Sequence, residues 1–196
     1  KEAPMAESGR IVCVGGGFGV APIYPIAKEL SKREAVEVTS IIGARTADLL
    51  ILVEEMEAVS GDLRIATDDG SRGHGGFVTE VLQEMIDSGE QIDEVVAIGP
   101  MPMMRGTAEV TRPHGIQTWV SMDPIMVDGT VMCGACRVTV GGELKFACVD
   151  GPFFDAHAVD FDESTKRVKM YVEEEQLAYR RFQEGHKCRR GGVDIG

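Results

Sequence analysis

The sequence predicts an α/β protein with an open parallel five-stranded sheet that carries helices on both faces. Strand-like and helix-like patterns alternate between residues 10 and 122, and glycine-rich loops follow several of the strands. After Asp123 the alternation gives way to a short hairpin bracketed by cysteines. Alternating elements build parallel sheets, which hold ligands at the carboxyl ends of their strands. The loops after the strands are therefore the first place to look for a binding site.

Short apolar or β-branched runs mark the strands, and apolar residues at helical spacing mark the helices. The five predicted strands cover residues 11–14, 36–42, 63–67, 95–98 and 116–120. Predicted helices cover residues 22–30, 47–59 and 78–85, and another begins after Gly99-Pro100. Their order along the chain is βαβαβαβαβ.

The chain changes character near residue 123. Residues 137–140 and 143–147 predict a hairpin around Gly141-Gly142, a pair that suits a primed turn. Residues 166–188 predict a charged helix with four large side chains facing inward, namely Tyr171, Leu177, Tyr179 and Phe182. We therefore expect a domain over 1–122, a hairpin subdomain over 123–162, and a charged, partly helical tail over 163–196.

The charge balance argues against nucleic acid as a partner. Lys and Arg number 20 against 32 Asp and Glu, a net charge of −12, which repels a phosphate backbone. No apolar run approaches the roughly 18 residues of a membrane span, and the polar start lacks the apolar core of a signal peptide. We expect a cytoplasmic protein, in which five cysteines favour metal ligation or free thiols over disulfides.

A glycine-rich turn follows the first predicted strand. Gly15, Gly16, Gly17 and Gly19 let the backbone turn tightly and approach a ligand, and the next helix offers free N–H groups to a pyrophosphate. The turn matches neither the usual dinucleotide fingerprint nor a P-loop. A tight turn without a ligand therefore stays open on this motif alone.

Three later loops lie at the same edge of the predicted sheet. Arg45 follows the second strand, Thr67-Asp68-Asp69-Gly70 the third, and Gly99-Pro100-Met101-Pro102-Met103 the fourth. Together with Gly15-Gly16-Gly17-Phe18-Gly19-Val20-Ala21-Pro22, these loops resemble the pyridine-nucleotide domain of the ferredoxin:NADP reductase superfamily. The resemblance implies that the first loop holds the pyrophosphate, the second and third the adenosine end, and the last the nicotinamide.

A second set of candidate ligands lies in the hairpin region. Cys133 and Cys136 are separated by two residues, Cys136 and Cys148 by eleven, and Asp128 stands five positions before Cys133. This pattern resembles the [2Fe-2S] segment of the dihydroorotate dehydrogenase electron-transfer subunit. It also resembles the small subunit of NADH-dependent ferredoxin:NADP oxidoreductases and sulfide dehydrogenases, in which an aspartate takes the first position.

The resemblance therefore implies a [2Fe-2S] cluster on Asp128, Cys133, Cys136 and Cys148. A zinc ion would fit the same spacing, and a redox dithiol at the first two cysteines also stays open. We interpret Cys13 as a small buried hydrophobe and Cys188 as a free thiol.

The cofactor preference is not decided by the loops. An arginine such as Arg45 or Arg72 suits the 2′-phosphate of NADP, whereas Asp68 or Asp69 suits the ribose hydroxyl of NAD. We expect NAD(H) rather than NADP(H), because the subfamily it resembles mostly uses NAD(H).

We expect an electron-transfer oxidoreductase module without catalytic acid, base or nucleophile. NAD(P)H would pass electrons through FAD and the cluster to a larger flavoprotein or iron–sulfur subunit, with ferredoxin as a further candidate partner. The resembling family holds FAD on a preceding barrel, so we expect the chain to be a C-terminal portion that is inactive alone. The alternatives are a zinc-stabilised, nucleotide-binding regulatory module and an interaction domain with a structural metal.

Overall fold

The computed structural model describes residues 5–183, which form one seven-stranded sheet and a separate two-stranded hairpin. The strands are β1 (Gly9–Gly16), β2 (Val36–Ala44), β3 (Asp62–Thr67), β4 (His74–Gly75), β5 (Glu94–Ile98), β6 (Gln117–Ser121), β7 (Arg137–Val140), β8 (Glu143–Phe146) and β9 (Phe153–Asp155). The predicted α/β class, with its parallel sheet, is confirmed.

The strand order in the main sheet is β4-β3-β2-β1-β5-β6-β9. Every neighbouring pair is parallel except β6 and β9, which run antiparallel. The chain first builds outward from β1 to β4, then returns to the other side of β1 for β5. Such a reversal opens a crevice at the carboxyl ends of the two strands that flank it.

The sheet has two strands more than the five predicted. Strand β4 is only two residues long and lies within a polar loop, so it carries no pattern that distinguishes it from a turn. Strand β9 returns from the hairpin region and pairs with β6 through Trp119, Val120 and Ser121. This pairing joins segments more than 30 residues apart. Hydrophobic periodicity within one segment does not reveal which distant segment pairs with it.

Six α-helices cover the described part of the sheet and the hairpin. They are α1 (Val20–Leu30), α2 (Val53–Val59), α3 (Val78–Asp87), α4 (Met101–Thr111), α5 (Phe161–Val168) and α6 (Val172–Gln183). The single helix predicted over residues 47–59 is wrong, because a 3-10 turn (Ala47–Leu49) is separated from α2 by extended and left-handed backbone. Leu50, Ile51 and Leu52 pack against the core from this irregular segment.

Strand β1 is buried on both faces. Ile11 and Cys13 face the layer of α1 and α2, whereas Val12 and Val14 face the layer that contains α3 and α4. The alternation follows from the two-residue repeat of a strand. Cys13 is fully buried, as predicted from its position in an apolar strand.

The predicted hairpin forms as β7 and β8 around Gly141-Gly142. Both glycines have positive φ, 61° and 78°, which confirms the primed turn. Val138 of the hairpin joins the same core as α4 and β6. The hairpin therefore packs directly against the sheet-and-helix body, and the boundaries at 122/123 and 162/163 stay predictions.

The prediction of an inward-facing helix in the tail is wrong for the described residues. Helix α6 buries no residue, and four side chains predicted to face inward are exposed, namely Tyr171, Leu177, Tyr179 and Phe182. Amphipathic spacing indicates a face and does not supply a surface for it to cover. Cys188 and residues 189–196 lie outside the described residues.

No helix within residues 5–183 combines the length and the apolar character needed to cross a membrane.

We expect the Cys13→Ala variant to lose less unfolding free energy than the unaltered protein when the pH is raised into the alkaline range. Burial raises the pKa of the Cys13 thiol from 9.0 to about 12. Above its ordinary pKa the unfolded chain releases this proton while the folded chain keeps it, so the free energy of unfolding falls as pH rises. For this group the slope is about 1.4 kcal/mol per pH unit between the two pKa values.

Urea unfolding of both proteins, at neutral pH and about one unit above the ordinary thiol pKa, measures this difference. The cavity left by alanine lowers stability at both pH values, so only the pH dependence is diagnostic. Equal alkaline losses in the two proteins would contradict the prediction.

Candidate functional site

A cavity of about 560 Å³ opens at the carboxyl ends of β1, β2, β3 and β5. Its volume lies within the range of pockets that hold small molecules and cofactors. Seventeen residues line it: Gly16, Gly17, Phe18, Gly43, Ala44, Arg45, Leu49, Ile51, Ala66, Asp68, Gly76, Phe77, Val78, Thr79, Pro100, Pro102 and Met103. The cavity coincides with the crevice created by the reversal of strand order.

The first glycine loop closes against the end of β5 at Gly19. A Cβ atom on Gly19 would collide with the carbonyl oxygen of Ile98 and lie 2.8 Å from Cα of Gly99. Only glycine permits this approach of two backbones. The contact therefore brings the start of α1 and the Gly-Pro loop together at one end of the cavity.

Two exposed aromatic rings flank the cavity. Phe18, on the first glycine loop, is 90% exposed, and Phe77, immediately before α3, is 60% exposed. The Phe77 N–H donates to Glu80 at 2.8 Å, and this hydrogen bond is the largest cause that lowers the pKa of Glu80. Glu80 thus caps α3 and holds Phe77 at the rim of the cavity.

The loop after β3 is held together by its own side chains. Thr67 Oγ1 donates to the carbonyl of Arg72 at 2.9 Å and accepts from its N–H at 3.0 Å. Asp69 accepts from the N–H and hydroxyl of Ser71, at 3.0 and 2.6 Å. Ser71 Oγ in turn accepts from the N–H of Ala47 at 2.8 Å. These contacts join the loops that follow β2 and β3 into one wall.

Two charged side chains of this wall face the cavity without a partner. Arg45 and Asp68 line it, and neither side chain has a hydrogen bond or ion pair within residues 5–183. Asp69, by contrast, is committed to Ser71. Within this part of the chain, Arg45 and Asp68 are the charged groups that line the cavity.

The predicted dinucleotide residues divide into those that line the cavity and those that shape it. The lining set is Gly16, Gly17, Phe18, Arg45, Asp68, Pro100, Pro102 and Met103. The others lie behind or beside the wall: Gly15, Gly19, Val20, Ala21, Pro22, Thr67, Asp69, Gly70, Gly99 and Met101. The assignment of both sets as ligand contacts stays a prediction.

Sequence reasoning missed the wall formed by the start of α3. Phe77, Val78 and Thr79 line the cavity, as do Leu49 and Ile51 from the irregular segment before α2. A signal for the α3 residues is their place between a polar loop at the ligand edge and the next helix. The two aliphatic residues carry no such signal, because helical spacing assigns them to a buried face.

The second candidate site lies in the stretch of chain that connects β6 to β9. Within it, residues 128–136 form a tight loop before β7. Asp128 accepts from the N–H of Thr130 at 2.8 Å and from the N–H of Cys133 at 2.7 Å. The Thr130 hydrogen bond is the largest cause that lowers the pKa of Asp128. Val131 has a φ of 73°, a left-handed conformation that is strained for a β-branched residue.

The cysteines of this segment form no disulfide among the described residues, and two of their thiols lie in contact. The Sγ atoms of Cys136 and Cys148 are 3.2 Å apart, and the Cys133 Sγ accepts from the N–H of Ala135 at 3.4 Å. Hydrogen bonding to Cys136 is the main cause that raises the pKa of the Cys148 thiol. Asp128 and Cys133 form one neighbouring pair, and Cys136 and Cys148 form the other.

The donor set fits a cluster of two bridged irons. Within residues 5–183 no group of three or more His, Cys, Asp or Glu side chains is arranged to hold a metal ion, and the candidate ligands lie in pairs. In a [2Fe-2S] cluster each iron takes two protein ligands, and the two pairs described above supply that number. The N–H groups directed at these sulfur and oxygen atoms suit an anionic cluster.

Comparison with known families gives two matches along the chain. Residues 13–109 match the oxidoreductase NAD-binding domain, and residues 123–160 match the iron–sulfur cluster binding domain of dihydroorotate dehydrogenase B. The first range contains the cavity-lining strands. The second contains Asp128, Cys133, Cys136 and Cys148.

Curated relatives agree with both matches. The chain is 48% identical over 174 residues to a dihydroorotate dehydrogenase B (NAD(+)) electron transfer subunit homolog of Thermotoga maritima, covering 89% of this chain and 61% of that protein. It is 40% identical over 161 residues to the electron transfer subunit of Geobacillus kaustophilus, covering 81% and 60%. The chain thus spans about three fifths of the length of these relatives.

A solved structure shares the fold over nearly the whole chain. A chain of the NADH-dependent reduced ferredoxin-NADP oxidoreductase, studied for flavin-based electron bifurcation, superposes with a TM-score of 0.85 at 43% identity. The match covers 93% of this chain and 65% of that one.

We expect Gly19→Ala to destabilise the fold and to weaken dinucleotide binding. The new methyl group would collide with backbone atoms of Ile98 and Gly99. Backbone atoms in a sheet cannot move aside as the end of a flexible side chain can. Overpacking of this kind costs about 1–3 kcal/mol of unfolding free energy. Urea denaturation and calorimetric titration with NADH measure the two effects.

Gly61→Ala is the matched control. Its nearest neighbour to a new Cβ is the carbonyl oxygen of Val38 at 3.5 Å, an ordinary contact. The control is expected to unfold like the unaltered protein, and similar losses in both variants would refute the assigned close approach.

Proposed function

Since this chain belongs to the oxidoreductases that join an NAD-binding domain to the iron–sulfur cluster binding domain of dihydroorotate dehydrogenase B, we propose that it is an NADH-linked electron-transfer module. NADH binds in the cavity at the carboxyl ends of β1, β2, β3 and β5. Electrons leave through a [2Fe-2S] cluster held by the hairpin region. The chain serves a larger redox partner.

The adjacency of the two sites is the observation that carries this proposal. Met101 opens α4 directly after the Gly-Pro loop and lines a groove of about 190 Å³ between the two sites. Ala135, which lies between Cys133 and Cys136, lines the same groove. The nucleotide loop and the cysteine loop therefore meet at one groove, and this closeness suits electron transfer between the two sites.

The chain contributes positioning to the nucleotide step. The glycine loop brings backbone N–H groups and the start of α1 to the pyrophosphate. Asp68 accepts hydrogen bonds from the ribose hydroxyls, and Arg45 lies beside the same end of the dinucleotide. Pro100 and Met103 line the end of the cavity that would receive and orient the nicotinamide.

A flavin, when bound, accepts a hydride and releases its electrons singly, which links a two-electron donor to a one-electron cluster. We place it against the Gly-Pro loop, beside Met101. No acid, base or nucleophile is needed from this chain, whose part is to orient the donor and to hold the acceptor's ligands.

For the cluster, the chain supplies one carboxylate and three thiolates. Asp128 and Cys133 would hold one iron, and Cys136 and Cys148 would hold the other. Each carboxylate oxygen of Asp128 accepts one N–H bond and keeps a lone pair for a metal. The same hydrogen bonds hold the loop in shape before any metal arrives.

The surface around this loop suits a protein partner. Met132 is 89% exposed beside the exposed Cys133, and Met126, Val127 and Val149 add further exposed apolar area. Apolar residues grouped around a reactive centre are typical of an interaction surface. We assign this surface to the larger redox subunit, with ferredoxin as a second candidate.

Anaerobic purification of the full chain tests the cluster directly. The expected result is a coloured protein with two irons and two sulfides per chain and an EPR signal after reduction. A colourless protein that contains stoichiometric zinc would reject the proposed function and support a zinc-stabilised module.

Asp128 is tested separately by Asp128→Asn, which keeps an oxygen to accept from Thr130 and removes the charge. If Asp128 binds iron, the EPR spectrum changes and the cluster is lost faster in air. If Asp128 only caps the loop, the spectrum of the asparagine variant matches that of the unaltered protein.

Asp68→Asn is expected to weaken NADH binding about tenfold and to strengthen NADPH binding, because the carboxylate accepts from the ribose and repels a 2′-phosphate. Calorimetric titration with both nucleotides measures this. Glu57→Gln, which removes one charge from an exposed position on α2, is the control and should leave both affinities unchanged. Parallel losses for NADH and NADPH in Asp68→Asn would contradict the assigned role.

A further inference from the structure

Helix α5 lies beyond the matched iron–sulfur region and is firmly seated against the body. Its first turn is capped by Asp160, which accepts from the N–H of Glu163 at 2.8 Å. Phe161 is buried in the core shared with the hairpin, and Asp162 forms a 2.7 Å ion pair with Arg105 of α4. The backbone of α5 is therefore held in place relative to the cysteine loop.

From this helix Arg167 reaches the cysteine loop. Its Nη2 donates to the carbonyl oxygen of Ala135 at 3.2 Å, in a partly buried contact. The N–H of Ala135 donates in the other direction, to the Sγ of Cys133. Ala135 is thus held on one side by Arg167 and on the other by a proposed cluster ligand.

The hydrogen-bond acceptor of Arg167 in the described part of the chain is a neutral carbonyl and not a carboxylate. Within residues 5–183 Arg167 forms no ion pair, although the chain carries 32 acidic residues against 20 basic ones. Arg137 lines the same groove and is likewise without an ion pair in that part of the chain. Two guanidinium groups without an ion pair therefore line the groove beside the cysteine loop.

We propose that Arg167 is a positioning residue for the iron–sulfur cluster, which anchors the Cys-x-x-Cys loop through Ala135 and raises the reduction potential of the cluster by its charge. This inference rests on the proposed cluster site. Reduction adds one negative charge to the cluster, and a nearby cation stabilises the reduced form more than the oxidised form. The N–H of Ala135, which donates to the Cys133 Sγ, acts in the same direction, because a hydrogen bond to a ligand sulfur stabilises added negative charge.

The test is a redox titration of the purified, cluster-loaded protein, followed by EPR. Arg167→Gln removes the charge, and Arg167→Lys keeps it. At one fixed applied potential we expect the ratio of reduced to oxidised cluster in Arg167→Gln to fall about tenfold, which is about 59 mV for a one-electron couple. Arg167→Lys is expected to keep the ratio close to that of the unaltered protein.

Lys166→Gln is the matched control, since it removes one positive charge from the neighbouring, exposed position on α5. We expect it to leave the ratio unchanged, because exposed charges are screened by solvent. An equal shift in Lys166→Gln, or no shift in Arg167→Gln, would overturn the proposal.

Loss of the cluster from Arg167→Gln would leave the decision to the lysine variant. Retention of the cluster in Arg167→Lys at an unchanged ratio would support anchoring by a cation at this position, whereas a tenfold shift in Arg167→Lys would overturn the charge effect. The outcome is separate from that of the proposed function, because an unaltered protein without iron and sulfide rejects the cluster itself. A loaded protein with an unchanged potential in Arg167→Gln rejects only the role of Arg167.

Discussion

Both candidate sites depend on the hydrogen bonding of the central strand β1. It pairs in parallel with β2 on one side and with β5 on the other, and it is buried on both faces. Because the chain reverses its direction of growth at this strand, the loops after β1 and β5 leave opposite sides of one crevice. The approach of Gly19 to Ile98 is a consequence of that pairing, and so is the cavity beside it.

The same sheet places the hairpin region beside the nucleotide cavity. Strand β6 pairs with β5, and β9 returns from the cysteine loop to pair with β6. Cys136 and Val138 join the core that contains Met104 of α4. The proposed electron carriers are therefore held on neighbouring strands and one shared core, so that their separation does not depend on a flexible linker.

Much of the fold could be read from local patterns. The five parallel strands, the primed turn and the burial of Cys13 follow from periodicity and residue type. The broken helix before α2 and the exposed face of α6 could not be read in this way. Both segments have apolar residues at helical spacing. Whether such a face is buried depends on a partner surface, and that surface is formed by residues distant in sequence.

By itself the sequence determined which chemical groups are present and in what order: a glycine-rich turn, loops at one sheet edge, and three thiols with a carboxylate. Only the tertiary structure decided which of them meet. It separated Asp68, which faces the cavity, from Asp69, which is bound to Ser71, and it brought Arg167 to the cysteine loop. The reason is that side-chain contacts between distant segments depend on strand pairing and helix seating, which spacing along the chain does not encode.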